Sequence, residues 1–267
     1  DEPLPAGAED QAVARGARWF FRARLPVHPS WQDTVRQRLA EAHHAHPLPP
    51  EPAWPVGDGS LGLLEGPASQ IHPDGRQAWR YLLRADCIAE SSMALALASR
   101  LTGDDRAAVT AANANGFIYE HSDLCAGPRA DPANPAFGLV GWHTRDDAPG
   151  IYYGDDNARA LLGTLAAAAT LGETRWDRRV ALALLANLRT TGPRGFRGNA
   201  LRQADLEENG WRHYWTDPRE NFAPHFESWL WACFLWAHAR GGPEAFLQRA
   251  REGLARIRPY LRTLVDL

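Results

Sequence analysis

Ionisable side chains occur near the start of three apolar helical segments. Each lies 13 to 17 residues before the glycine that ends its segment. Glycoside hydrolysis needs two carboxyl groups across the scissile bond, one to protonate the leaving oxygen and one to act as base or nucleophile. The ionisable residues are Asp86 and Glu90, Asp155 and Asp156, and His225 and Glu227.

Two roles are open for these acids. An acid in the first helical turn stabilises free backbone N–H groups and the helix dipole, and this capping role explains one carboxylate per helix. If one of Asp155 and Asp156 caps the helix, the other carboxylate is available for catalysis. We expect Asp156 to be the general acid, because the helical turn after it is apolar and burial favours a protonated carboxyl group. Its partner would be Glu227 or Asp86.

Aromatic and polar side chains near these acids are candidates for substrate binding. The chain has 11 Trp residues, whose ring faces can stack on the apolar faces of sugars. Arginines near the acids are candidates for binding a uronate, or alternatively for ion pairing, as between Arg84 and Asp86. The candidate binding residues are Trp142, His143, Tyr153, Asn157, Trp211, Trp215, His225 and Arg84, and further arginines nearby are Arg80 and Arg145.

The composition excludes several kinds of chemistry and of partner. The chain contains no lysine, so Schiff-base catalysis and phosphate-loop nucleotide hydrolysis are excluded. With a net charge of −3, the chain has no excess of positive charge that would favour binding to nucleic acid or to an anionic membrane. The longest apolar stretch, near Trp229, is too short to span a bilayer. Three widely spaced cysteines predict no disulfide framework or zinc site, and no metal or organic cofactor is implied.

An internal repeat predicts the elements that position the acids. Three apolar helical runs end at Gly103, Gly172 and Gly241, which are 69 residues apart, and each is followed by a more charged helical run. The first run of each pair is apolar nearly all round, as in an enclosed inner helix, which predicts Trp229 in the core. The second run is amphipathic, as in an outer helix, and the apolar face of the last one includes Leu254 and Leu261. Repeated helical hairpins of this kind form an (α/α) toroid or a solenoid.

The N-terminal part supplies a weaker fourth hairpin. It covers residues 10–24 and 30–43, and a proline-rich connection follows at residues 47–55. We expect residues 1–58 to pack as one domain with the repeated hairpins of residues 59–267. Long polar loops are expected at residues 120–154 and 192–224.

Four stretches of sequence carry a resemblance to a known superfamily. They are Gly62-Leu-Leu-Glu-Gly-Pro-Ala-Ser-Gln-Ile71, Arg84-Ala-Asp-Cys-Ile-Ala-Glu90, Tyr153-Gly-Asp-Asp-Asn-Ala-Arg159 and Asn221-Phe-Ala-Pro-His-Phe-Glu-Ser-Trp229. The chain resembles bacterial six-hairpin glycosidases, (α/α)6 toroids that include the unsaturated glucuronyl hydrolases. The resemblance implies an acid and base role for Asp155 or Asp156. About four of six hairpins are present, so the toroid would be completed by hairpins of a longer chain or of a second subunit.

Three functions follow from these patterns. The first is an exo-acting glycoside hydrolase that uses paired carboxylates on polysaccharide-derived oligosaccharides. The second is a polysaccharide lyase or sugar epimerase that uses Tyr152 or Tyr153 with His143 or His225. The third is a non-catalytic helical scaffold, in which the acids only cap helices. We expect a soluble protein of the bacterial cytoplasm, periplasm or exterior, with an oligosaccharide partner.

Overall fold

The computed structural model describes residues 4–42, 45–144 and 150–265, and most of them are helical. This confirms the predicted mainly α-helical fold class. None of the helices in the described ranges has both the length and the apolar character that a membrane crossing requires. The helices are α1 (Ala8–Arg22), α2 (Gln32–Glu41), α3 (Ala85–Thr102), α4 (Asp105–Gly116), α5 (Gly154–Leu171), α6 (Asp177–Arg189), α7 (Gln203–Thr216), α8 (Pro224–Ala239) and α9 (Glu244–Val265).

Short strands form two antiparallel ribbons. The first pairs β1 (Gly66–Ile71) with β2 (Gln77–Arg80), and an irregularity in register lies between Pro67 and Ile71. The second pairs β3 (Ile151–Tyr153) with β4 (Ala200–Arg202), so that Tyr152 lies opposite Leu201. The second ribbon matters for the candidate site because β3 leads directly into α5.

The glycines of the internal repeat end their helices as predicted. Gly103, Gly172 and Gly241 have φ values of 71°, 71° and 90°, which a residue with a side chain rarely adopts. Gly103 also donates its backbone N–H to the carbonyl of Ser99 at 2.8 Å, which closes α3. α3 packs against α4, and α8 packs against α9, as helical hairpins.

The chain divides into two compact units, and the boundary falls within α5. The first unit comprises Asp1–Ser122 with Gly163–Thr174, and the second comprises Asp123–Leu162 with Arg175–Leu267. The toroid and the packing of residues 1–58 with residues 59–267 remain predictions.

In the first unit, the proline-rich connection is held by a pair of stacked indoles. The rings of Trp31 and Trp54 lie 5.3 Å apart, and the Trp31 indole N–H donates to the Pro55 carbonyl at 2.9 Å. Arg38 lies over the Trp54 ring at 4.9 Å. These contacts fix an extended segment that has few backbone partners of its own.

In the second unit, α8 and α9 meet at an unusually close contact. A Cβ atom added to Gly253 would lie 2.5 Å from Cζ2 and 2.6 Å from Nε1 of Trp231. The indole N–H of Trp231 donates to the Gly195 carbonyl at 2.6 Å. The buried face of α9 therefore runs through Phe246, Ala250, Gly253 and Ile257.

Two expectations about side-chain burial are corrected by the structure. Leu254 and Leu261, predicted on the core face of α9, are exposed, because the helix presents the face that contains Gly253 to the core. Trp229, predicted in the core of an enclosed helix, is 46% exposed, since α8 buries only one side within its own unit.

The predicted loop at residues 192–224 contains a helix. α7 begins at Gln203 and ends at Thr216, and it is broken by Gly210, whose backbone has φ 72° and ψ 158°. Leu206 and Tyr214 bury one side of this helix on either side of the break. The interruption hides the helical period from a sequence reading, which explains why α7 was not predicted.

Candidate functional site

The junction of β3 and α5 places Asp155 and Asp156 in the first turn of a helix without an intervening linker. Gly154 makes this junction possible, because a Cβ atom there would lie 2.8 Å from the carbonyl oxygen of Phe226 in α8. The Gly154 N–H donates to the Asn199 carbonyl at 3.3 Å. The start of α5 is therefore packed directly against the start of α8.

Five aromatic side chains meet around this junction, and we call them the aromatic cluster. Trp142 and His143 come from the loop before β3, Tyr153 ends β3, and His225 and Phe226 begin α8. Successive ring centroids are separated by 4.5 Å from His143 to Trp142, 5.2 Å from Trp142 to Tyr153, 6.2 Å from Tyr153 to Phe226 and 4.2 Å from Phe226 to His225.

The aromatic cluster is accessible to solvent. His225 is exposed, and the other four members are half-buried. The rings of Tyr153 and Phe226 are inclined by only 20° to each other. Partly exposed rings of this kind can bind the apolar face of a sugar, whereas rings buried in a core cannot.

The two predicted acids of α5 differ in their access to solvent. Asp155 is half-buried, whereas Asp156 is only 4% exposed. Both belong to the first turn of α5, directly after Tyr153 of the aromatic cluster and Gly154. Asp155 is therefore the carboxylate that a ligand in solvent could reach more easily.

Glu227 is fully buried and accepts three hydrogen bonds from the second unit. The backbone N–H groups of Arg197 and Gly198 donate at 3.1 and 2.8 Å, and the side-chain amide of Asn221 donates at 2.8 Å. Burial raises the pKa of Glu227 above its ordinary value, against the opposing effect of these hydrogen bonds and of the Arg197 charge. The three hydrogen bonds hold the segment at residues 197–198 and Asn221 against the start of α8.

A buried arginine next to Glu227 organises the strands beside the aromatic cluster. Arg197 is 1% exposed, and its guanidinium donates to Asn187 Oδ1 at 2.6 Å and to the Tyr152 carbonyl at 3.2 Å. Burial lowers the pKa of Arg197 to about 10, although the charges of Glu227 and Asp155 oppose this shift. The carboxyl groups of Glu227 and Asp155 thus interact electrostatically with the Arg197 guanidinium.

Asn157 continues this network toward the loop that carries Trp142. Its carbonyl oxygen accepts from the Val140 N–H at 3.0 Å, and its amide donates to the carbonyls of Val140 at 2.9 Å and Tyr153 at 3.2 Å. Asn187 also donates to Asn157 Oδ1 at 3.3 Å. Asn157 therefore lies in the core, where its hydrogen bonds hold the backbone of Val140, near Trp142, and of Tyr153.

Trp211 and Trp215 lie elsewhere in the second unit. They line a cleft of about 470 Å³ between the end of α6 and the second half of α7. This cleft shares no residue with the aromatic cluster. The structure thus separates the predicted substrate-binding aromatics into two groups.

Asp86 and Arg84 belong to the first unit and pair with each other. Arg84 donates from Nε to Asp86 Oδ1 at 3.1 Å and from Nη2 to Oδ2 at 2.8 Å, while its Nη1 contacts Glu65 at 3.2 Å. Arg80 also binds Glu65, at 2.7 Å. The ion-pair alternative for Arg84 and Asp86 is therefore the arrangement that the structure shows, and Asp86 is fully buried. Arg145 lies outside the described residues.

Sequence reasoning missed Phe226 and Arg197. Phe226 stands between His225 and Glu227, and an aromatic residue in the first turn of a helix after a proline is a signal that could have placed it in the cluster. Arg197 gave no such signal, because arginines are abundant in this chain and charged residues are expected at the surface.

Comparisons with known proteins identify no relative. Neither a scan of protein-family models nor searches of curated proteins and of solved structures found a match to this chain. The resemblance to six-hairpin glycosidases therefore stays a prediction. Within the described ranges, no group of three or more His, Cys, Asp or Glu side chains is arranged to hold a metal ion.

Proposed function

We propose that this chain is a carbohydrate-active enzyme of the glycoside hydrolase type, with its substrate bound at the aromatic cluster. One observation carries the proposal: a row of partly exposed rings meets two consecutive carboxylates at the β3–α5 junction. Sugar rings need an apolar surface for their C–H faces and acidic groups for their hydroxyls and glycosidic oxygens. This junction offers both within one unit.

Exposure supports a division of roles among the acids. Asp155 is the more accessible, so we assign it, in place of the Asp156 expected from the sequence, proton transfer to and from the glycosidic oxygen. Asp156, almost fully buried beside it, is the candidate for the second carboxyl group. Glu227 accepts hydrogen bonds from the backbone at residues 197–198 and from the Asn221 amide, so we assign it a positioning role.

A second candidate reaction is supported by the composition of the aromatic cluster. Tyr153 lies in the cluster with the imidazoles of His143 and His225, and these are groups that a lyase or epimerase uses to abstract a proton next to a carboxylate. Tyr152, the other candidate, is buried and donates its hydroxyl to Gln203. Only Tyr153 is therefore available for this chemistry.

The test is turnover of a panel of neutral and uronate-containing oligosaccharides, with products identified by mass spectrometry. Hydrolysis adds water to the products, whereas a lyase yields an unsaturated product that absorbs in the ultraviolet. We expect hydrolysis by the wild-type protein and a loss of at least about a hundredfold in kcat for Asp155→Asn. Trp142→Ala should raise KM.

Matched controls separate catalysis from helix capping. Asp205 is an exposed aspartate in the first turn of α7, so Asp205→Asn removes a comparable charge from a helix start. Trp229→Ala removes an exposed indole outside the aromatic cluster. If Asp155→Asn and Asp205→Asn have equal effects, or if no oligosaccharide is turned over, the proposal fails and the scaffold alternative is favoured.

A further inference from the structure

The cleft between α6 and α7 has a chemical character different from that of the aromatic cluster. Its walls are Leu188 and Arg189 at the end of α6, and Trp211, Arg212, Trp215 and Thr216 in the last turns of α7. The break at Gly210 starts the segment that carries both tryptophans. The volume of about 470 Å³ lies in the range of small-molecule sites.

The lining offers few groups that accept a hydrogen bond. It contains no carboxylate and no amide side chain, and Thr216 donates its hydroxyl to the carbonyls of Arg212 at 3.1 Å and His213 at 3.2 Å. A sugar would bring several hydroxyl donors to a surface that has few acceptors for them, which disfavours sugar binding here. The two indoles and Leu188 instead favour a ligand with an apolar ring.

Two guanidinium groups give the cleft a positive charge. Arg212 lies 4.9 Å from the Trp211 ring centroid, and its side chain forms no ion pair or hydrogen bond with the described residues. Arg189 lies 6.0 Å from the same centroid, and its Nη2 donates to the carbonyls of Pro135, at 3.0 Å, and Phe137.

The two arginines differ in their contacts, but each has N–H groups that can donate to a ligand. Arg189 is held by its two carbonyl partners, while its Nη1 makes no hydrogen bond within the described ranges. Arg212 is exposed and lies against an indole face. A hydrogen-bonded guanidinium and an exposed guanidinium beside apolar walls are together complementary to one carboxylate on an apolar ring.

We propose that this cleft binds a small aromatic monocarboxylate, with its ring against Trp211 and Trp215 and its carboxylate at Arg189 and Arg212. An aromatic ring matches the indole walls by stacking or edge contact. A carboxylate accepts from guanidinium groups and needs no acceptor from the lining. The proposal is independent of the carbohydrate site.

The test uses phenylacetate as the probe, with binding measured by isothermal titration calorimetry and by saturation-transfer NMR. We expect a Kd on the order of 1 mM or tighter for a ligand of this size. The neutral amide, phenylacetamide, should bind at least about tenfold more weakly, because it lacks the charge. Glucuronate, a sugar carboxylate, should also bind more weakly than phenylacetate.

Variants assign the binding to the cleft. Arg212→Gln should weaken phenylacetate binding about tenfold, and Trp211→Leu should remove the transfer of saturation to the aromatic ring. Arg178→Gln is the matched control, because Arg178 is exposed on the same helix as Arg189 but outside the cleft. Asp155→Asn should leave phenylacetate binding unchanged, so this test and the test of the carbohydrate site can fail separately.

Three outcomes would overturn the proposal. Equal binding of phenylacetamide would remove the role of the carboxylate, and tighter binding of glucuronate would make the cleft a sugar site. Equal weakening by Arg178→Gln and Arg212→Gln would show unspecific attraction to arginines. Circular dichroism of each variant must match that of the wild-type protein. If Arg212→Gln does not fold, Trp211→Leu with the phenylacetamide comparison decides the result.

Discussion

Replacing Glu227 with glutamine should destabilise the second unit strongly, although the change is nearly isosteric. The carboxylate accepts from two backbone N–H groups and from Asn221, and it lies close enough to the buried Arg197 to interact with its charge. A glutamine has one acceptor oxygen, and its NH2 group would face at least one of these donors. Each buried unsatisfied donor costs about 1–3 kcal/mol.

The size of the effect follows from the donors that a glutamine leaves without an acceptor. With one such donor, we expect the free energy of unfolding to fall by about 1–3 kcal/mol. For a chain of this size, each kcal/mol lowers Tm by about 2–4 °C, so the decrease should be about 2–12 °C.

Denaturant unfolding followed by circular dichroism, together with calorimetry, measures this effect. Glu208→Gln is the matched control, because Glu208 is exposed on α7 and its side chain forms no hydrogen bond or ion pair with the described residues. Its Tm should stay within about 2 °C of the wild-type value, as for other exposed substitutions. A Glu227→Gln variant as stable as Glu208→Gln, but without turnover, would refute the positioning role and make Glu227 a catalytic candidate again.

Three further predictions follow from the same geometry. Gly253→Ala should lower the free energy of unfolding by about 1–3 kcal/mol, because the added methyl group overlaps Trp231; an unchanged denaturant midpoint would contradict the close contact. Asp86→Asn should cost about 3–5 kcal/mol, because it leaves Arg84 without its bidentate partner; thermal unfolding equal to wild type would contradict this. Because the pKa of Glu227 is raised in the folded state, its titration contributes stability below the ordinary value of 4.5 that is lost as pH rises through the raised pKa. The stability gap between wild type and Glu227→Gln should therefore be larger below that pH than at neutral pH, and a gap that widens toward neutral pH would refute the assigned direction.

The hairpin elements could be predicted from the sequence because their signals are local. A left-handed residue at a helix end requires glycine, and the apolar period extends over several turns before Gly103, Gly172 and Gly241. The helix α7 could not be predicted in this way, since the break at Gly210 divides it into segments too short to show a period. The exposure of Trp229 depends on which elements pack against α8, and no local pattern records that.

The candidate site was predictable in part for the same reason. Trp142, His143, Tyr153 and His225 meet because they flank the starts of α5 and α8, which come together at Gly154 and Phe226. Asn157 and Glu227 carry the same polar signal, but their side chains point inward.

The inward direction is set by a tertiary partner rather than by sequence spacing. Arg197 is buried, and its backbone binds Glu227 while its guanidinium binds Asn187, which in turn binds Asn157. A buried arginine of this kind cannot be recognised among 29 basic residues without the fold. Residue type thus predicted polar helix starts, whereas burial decides which side chains are available to a ligand.

The most direct test of the carbohydrate assignment is a crystal structure of Asp155→Asn with an oligosaccharide that the wild-type protein turns over. The account predicts a sugar ring against Trp142, Tyr153 or Phe226, with its glycosidic oxygen within hydrogen-bonding distance of residue 155. An oligosaccharide bound only in the cleft of Trp211 and Trp215, or bound away from residue 155, would contradict it.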